Sequence, residues 1–205
     1  MTIQVGDKVP SGTLKHMGAD GPADPPLSDL GQRQADATGE FLAHEDVHHV
    51  VASPMLRAVE TARPLAERLG LDIEIVDGLA EMDHLSDTYI PVEEMKEEGG
   101  ERWEMLTENP YLLLEEAGGE AAFRERVLDG FEGVIARNPG RTVAAFCHGG
   151  TTSALLNHLL EVANIWSIVP EYCGITRVTA SRSGIRTVRS ANETAHVRGL
   201  LPERL

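Results

Sequence analysis

The sequence predicts a three-layer α/β/α fold built around a mostly parallel central sheet. Three observations carry this expectation. Val143–Cys147 (VAAFC) is an apolar run without polar alternation, as expected for a strand covered on both faces in a parallel sheet under helices. Val47–Ala52 (VHHVVA) and Asp72–Val76 (DIEIV) are further strand-like runs, and strands alternate with helical patterns, which favours right-handed crossovers within one layered sheet. The chain has 205 residues, 41% of them hydrophobic and 25% charged, which suits one globular domain, assigned here to 1–205.

Taken in order, the chain opens with MTIQVGDKVPSGTLKHMGADGPADPP, rich in Gly and Pro, where Thr13–Lys15 is the candidate first strand and His16 stands at its end. Ser28 is placed to N-cap a helix running through Leu42. Ser53 is expected to cap the next helix, with Pro54 at its first position and Gly70 as its stop. The strand DIEIV leads into the loop Asp77–Glu81. Residues 82–119 are acidic, punctuated by glycine and poorly periodic, and read as an inserted lid or cap with one or two short helices. Glu120–Arg137 is amphipathic, with Phe123, Val127, Phe131 and Val134 on one face. After the central strand, His148-Gly149-Gly150 breaks the run and Thr151–Leu160 reads as a helix. Gly174–Ala180 and Ile185–Ser190 pair as a hairpin across Ser183-Gly184.

Charge and composition exclude several functions. A net charge of −15 argues against a general binder of nucleic acid or anionic membrane, so any phosphate site must be a local positive island. No apolar run of about 18 residues predicts a membrane span. The start lacks the basic-then-apolar layout of a secretory signal, and Cys147 and Cys173 are too few for a disulfide framework, so a reducing, cytoplasmic setting is expected.

Ligands of open α/β sheets bind at the carboxyl ends of the strands. His16, Ser53–Arg57, Glu81 and His148 each follow a predicted strand, so one site is expected to gather them. A strand, a glycine turn and a helix N-terminus offer free N–H groups to an anion, with His148 at the mouth and Gly149 beside it. These residue types suit phosphoryl transfer. A neutral imidazole attacks phosphorus, Arg57 and His148 hold the phosphoryl oxygens, and Glu81, or failing it Asp83, protonates the leaving group. Two other patterns are set aside. His44-Glu45-Asp46-Val47-His48 matches H-E-x-x-H, but a β-rich run begins at Val47 and no third ligand is evident. Cys147 lacks the arginine a cysteine-phosphatase loop needs six residues on, where Ser153 stands.

Four stretches resemble the histidine phosphatase superfamily, which includes phosphoglycerate mutases. They are SPMLRAVETARPLAERLG (53–70), GLAEMD (78–83), FCHGGTTSALL (146–156) and VRSANETAHV (188–197). The resemblance implies a phosphomonoester hydrolase that works through a phosphohistidine, without metal or cofactor, on a small phosphorylated substrate or inorganic phosphate. By it His16, Arg57, Glu81 and His148 are catalytic and Lys15 and Gly149 bind substrate. Leu14-Lys15-His16-Met17-Gly18 departs from the family's Arg-His-Gly signature, and lysine lacks the fork that grips phosphate in two places. The opening MTIQVGDKVPSGTLKHMGADG resembles a peroxiredoxin start, with no peroxidatic cysteine after it. The alternatives are mutase-like phosphotransfer, for which 82–119 supplies only Lys96 and Arg102 as extra cations, and a catalytically inactive phosphate-binding protein.

Overall fold

The structure, a computed structural model, describes residues 2–5, 23–86, 99–109, 112–115 and 118–201. Six strands form one sheet: β1 (Thr2–Val5), β2 (His49–Ala52), β3 (Ile73–Ile75), β4 (Val143–Cys147), β5 (Ile175–Ala180) and β6 (Arg186–Glu193). Their order is β3-β2-β4-β1-β5-β6. The first four of that order run parallel, β5 joins β1 antiparallel, and β6 completes the hairpin.

The helices are α1 (Asp29–Ala43), α2 (Leu56–Leu69), α3 (Glu101–Glu108), α4 (Leu112–Glu115), α5 (Glu120–Arg137) and α6 (Gly149–Leu159). Every residue of β4 is buried, and its side chains divide between two cores as the pleat requires. Val143, Ala145 and Cys147 pack with Phe123, Val127, Phe131 and Val134 of α5 and with Ala154 and Leu155 of α6. Ala144 and Phe146 pack with Leu42 of α1 and with Ala62, Leu65 and Ala66 of α2. The sheet is thus sandwiched between helices, the three-layer arrangement expected from the apolar run. Leu114 of α4 is buried in the first of these cores, which anchors part of the 82–119 segment.

Several expectations are corrected. The first strand is Thr2–Val5, lying between β4 and β5, so His16 does not directly follow the strand at the sheet's centre. Thr2 to Val5 carries three β-branched residues, the better strand former than Thr13-Leu14-Lys15. Thr13–Lys15, His16 and Lys96 lie outside the described residues. Ser28 caps α1 as read, accepting from Gly31 N–H at 3.0 Å. Ser53 does not cap α2: the helix begins at Leu56, whose N–H donates instead to Asp24 Oδ2 at 2.7 Å. Gly70 ends α2 in the left-handed conformation, φ 65°, as a stop should. The apolar run ends at Cys147 as read, but the next helix starts at Gly149 rather than Thr151, with His148 at the N-cap position. Among the described residues no helix is long and apolar enough to cross a membrane.

Candidate active site

β2 and β4 are parallel neighbours with Ala52 opposite Phe146, so the residues that follow them leave the sheet side by side. Ser53 N–H donates to Phe146 O at 2.9 Å and fixes that exit. Ser53 Oγ lies 2.7 Å from His148 Nε2, and both residues are buried. Ser53 Oγ also accepts from Met55 N–H at 3.3 Å, so it serves both the histidine and the turn that leads into α2. Its place at a strand end was legible in the sequence, but its target was not.

Arg57, in the first turn of α2, is 1% exposed. Its Nη2 donates to both carboxylate oxygens of Asp83, at 3.0 and 3.3 Å, and its Nη1 lies 3.9 Å from Asp24 Oδ1. A guanidinium so enclosed needs counter-charge nearby, and here it has carboxylates on two sides. Asp24 was not singled out from the sequence, since no local pattern announces it.

Glu81 follows β3 after a 3-10 turn, Asp77–Leu79. Its Oε2 accepts from Gly150 N–H at 2.7 Å and its Oε1 from its neighbour Met82 N–H at 2.9 Å. A Cβ on Gly150 would fall 2.5 Å from Glu81 Oε1, so only glycine lets the carboxyl approach α6 this closely, whereas Gly149 has open space around it. Burial pushes the Glu81 carboxyl above the usual carboxylate range, His148 draws it back, Asp83 pushes it further up, and the two backbone donors lower it. The net effect is upward, the direction a proton donor needs.

The structure thus brings three of the sequence-derived site residues into one chain of contacts. Arg57 holds Asp83, Asp83 lies two residues from Glu81, Glu81 holds Gly150, and Gly150 lies two residues beyond His148, which meets Ser53. All stand at the carboxyl ends of β2, β3 and β4. Lys15 and His16 lie outside the described residues.

The two other patterns resolve as follows. His44 is the C-cap of α1 and His48 immediately precedes β2, so they share no helical face. Among the described residues no group of three His, Cys, Asp or Glu is arranged to hold a metal ion. Cys147 is buried, its Sγ 3.5 Å from Thr152 Oγ1.

A mostly parallel sheet covered on both faces thus gathers, at the carboxyl ends of its strands, a buried arginine, a buried histidine at a helix start and a carboxyl of raised pKa. The chain belongs to the histidine phosphatase superfamily, matching its branch 1 over residues 13–193. It is 31% identical over 148 residues to phosphoserine phosphatase 1 of Hydrogenobacter thermophilus, covering 70% of each chain. It is 30% identical over 139 residues to the uncharacterized phosphatase PhoE of Bacillus subtilis, covering 68% of this chain and 67% of that one. A phosphoserine phosphatase mutant from Entamoeba histolytica, solved with phosphoserine, shares the fold with a TM-score of 0.72 at 16% identity, over 96% of this chain and 98% of that one. Mycobacterial glucosyl-3-phosphoglycerate phosphatase, solved with VO3, gives a TM-score of 0.70 at 23% identity over 94% and 98%. The family match begins downstream of β1 and includes Lys15 and His16.

Proposed function

We propose that this protein hydrolyses a small phosphate monoester through a phosphohistidine, without metal. In this reading His16 attacks phosphorus, Lys15, Arg57 and His148 hold the phosphoryl oxygens, the N-terminal turn at Gly149 helps to receive the anion, and Glu81 protonates the leaving alkoxide. The observation that carries the proposal is the partly buried Glu81 carboxyl, raised in pKa and hydrogen-bonded to the same helix start that carries His148. Residues 82–119 serve as the cap that selects the ester. The phosphatase relatives support hydrolysis over mutase-like transfer.

One observation favours a second reading, a phosphate-binding protein without turnover: the strand between β4 and β5 is Thr2–Val5, and no histidine directly follows it. A single experiment separates the two. Incubation with a labelled phosphate monoester followed by rapid quench should trap label on His16, and His16→Ala should abolish both label and turnover. EDTA should leave turnover intact. No label, no turnover and retained phosphate binding would establish the second reading. Turnover that survives His16→Ala would refute both.

A further inference from the structure

The loop that carries Glu81 is held from outside the site by a residue with no place in the chemistry above. Arg126 of α5 directs its guanidinium at the carbonyls of that loop. Its Nη1 donates to Ala80 O at 2.8 Å, to Gly78 O at 3.1 Å and, more weakly, to Asp77 O at 3.4 Å. Its Nη2 reaches Glu81 O at 3.5 Å. The carbon of the guanidinium lies 5.2 Å from the centroid of the Phe123 ring one turn earlier, which braces the group's plane. Asp77 O and Glu81 O also accept within the loop, from Ala80 N–H at 3.0 Å and from His84 Nδ1 at 2.8 Å, so the contacts that Arg126 adds most firmly are those to Gly78 O and Ala80 O.

A second contact, independent of the first, points the same way. Gly78 of the loop and Gly130 of α5 meet backbone to backbone: a Cβ on Gly78 would stand 2.8 Å from Gly130 Cα, and one on Gly130 would stand 3.0 Å from the Gly78 carbonyl carbon. Leu79, between Gly78 and Ala80, is buried in the same core as Phe123 and Val127. The loop is therefore seated on α5 by a close approach at Gly78 and gripped one helical turn away by Arg126. Glu81 emerges from this clamp with its carboxyl against Gly150 N–H.

We infer that Arg126 is a positioning residue for the proton donor: by binding the carbonyls of Gly78 and Ala80, and more weakly those of Asp77 and Glu81, it sets the Glu81 carboxyl against the first turn of α6 and so controls protonation of the leaving group. The inference rests on the reading of Glu81 as the acid. Charge alone does not do this: Nη1 makes three of the four contacts, and it is placed there by a planar group lying against Phe123 whose Nη2 reaches Glu81 O. A lysine keeps the cation but offers one compact ammonium on a flexible stem.

Arg126→Lys is the test, with two readouts. On an alkyl phosphate, whose leaving group needs a proton, kcat should fall about tenfold or more, within the range general acids contribute. On p-nitrophenyl phosphate, whose leaving group needs none, kcat should change little, and KM should hold for both esters. The second readout needs no turnover. Gly150 and Met82 N–H both donate to the Glu81 carboxylate, so their amide resonances follow its titration. In Arg126→Lys that titration should move toward the ordinary carboxylate range and shrink in amplitude. Equal loss of kcat on both esters, or an unmoved amide titration, overturns the inference. If the wild type hydrolyses neither ester, the phosphatase reading fails while the amide titration still decides the role of Arg126. Should Arg126→Lys not fold, Gly130→Ala wedges the loop off α5 with the arginine retained and must give the same shift.

Discussion

Asp83 and Glu81 stand two residues apart and divide their work by environment. Asp83 accepts with both oxygens from Arg57 Nη2, so under the proposed function it competes with a phosphoryl group for that nitrogen. Asp83→Asn should therefore destabilise the free protein by about 1–3 kcal/mol, as expected when a buried cation loses a partner. It should also enlarge the rise in Tm caused by added inorganic phosphate, because the competing carboxylate is gone. Thermal melts with and without phosphate check this, and an unchanged or smaller phosphate effect would refute it. Retained turnover in the same variant would remove Asp83 as the alternative acid. Glu81 gives a prediction in pH. Its folded pKa is raised chiefly by burial, so its folded form holds the proton more tightly than the unfolded chain does. That contribution is fully present below the ordinary carboxylate value of about 4.3 and is lost as pH rises through the raised folded value. Glu81→Gln does not ionise, so the Tm of the variant minus that of the wild type should grow between about pH 5 and pH 8. A constant difference across that interval would show that the carboxyl pays no penalty for being charged in the fold.

At the scale of elements, α1 meets α2 closely at Gly39. A Cβ there would stand 2.8 Å from Pro64 Cβ and 2.9 Å from Leu65 N in α2. Pro64 lies inside α2 and lacks the N–H that would bond to the preceding turn. Gly39→Ala gains helix propensity of up to about 1 kcal/mol but forces α1 off α2, an overpacking cost of about 1–3 kcal/mol. The net expectation is a Tm lowered by a few degrees in calorimetry, and a Tm raised by the substitution would show that the helices part freely. Glu120–Arg137 and Val143–Cys147 appear in the structure with the bounds read from the sequence, because their periodicity and apolarity are properties of the local chain. The start of α2 lies later than the Ser-Pro pattern suggests because the Ser53 hydroxyl accepts from Met55 N–H in a turn ahead of the helix, and it meets His148 at the same time. Arg57, Glu81 and His148 were legible because strand ends announce them. Arg126 was not: on the sequence it is one more charge on the polar side of an amphipathic helix, and the carbonyls it holds have no signature of their own.

At the scale of the whole molecule, the last described turn is bound back to the first helix. The His196 ring stacks on Phe41 at 4.9 Å and 20°, its Nε2 lies 3.1 Å from Thr38 Oγ1, and Gln34 Nε2 donates to Leu200 O at 2.9 Å. Arg177 of β5 joins Glu45 and Glu193 on the same side of the sheet. The chain that carries these contacts and the site has a net charge of −15. An anionic ester approaching from solution thus meets a repulsive far field before it meets Arg57, which itself sits between Asp83 and Asp24. Screening decides how far that repulsion reaches: the Debye length falls from about 30 Å at 0.01 M salt, the scale of the protein itself, to about 8 Å at 0.15 M. Arg57 and His148 are themselves buried, and interactions with buried groups are screened far less. Raising ionic strength over that interval should therefore increase kcat/KM for a dianionic phosphate ester, by speeding capture, while kcat stays flat. A bulky counter-anion such as gluconate avoids direct competition for Arg57. Initial rates across the salt series read the effect, and a kcat/KM that falls with salt would show that the cationic site, not the acidic surface, governs the approach.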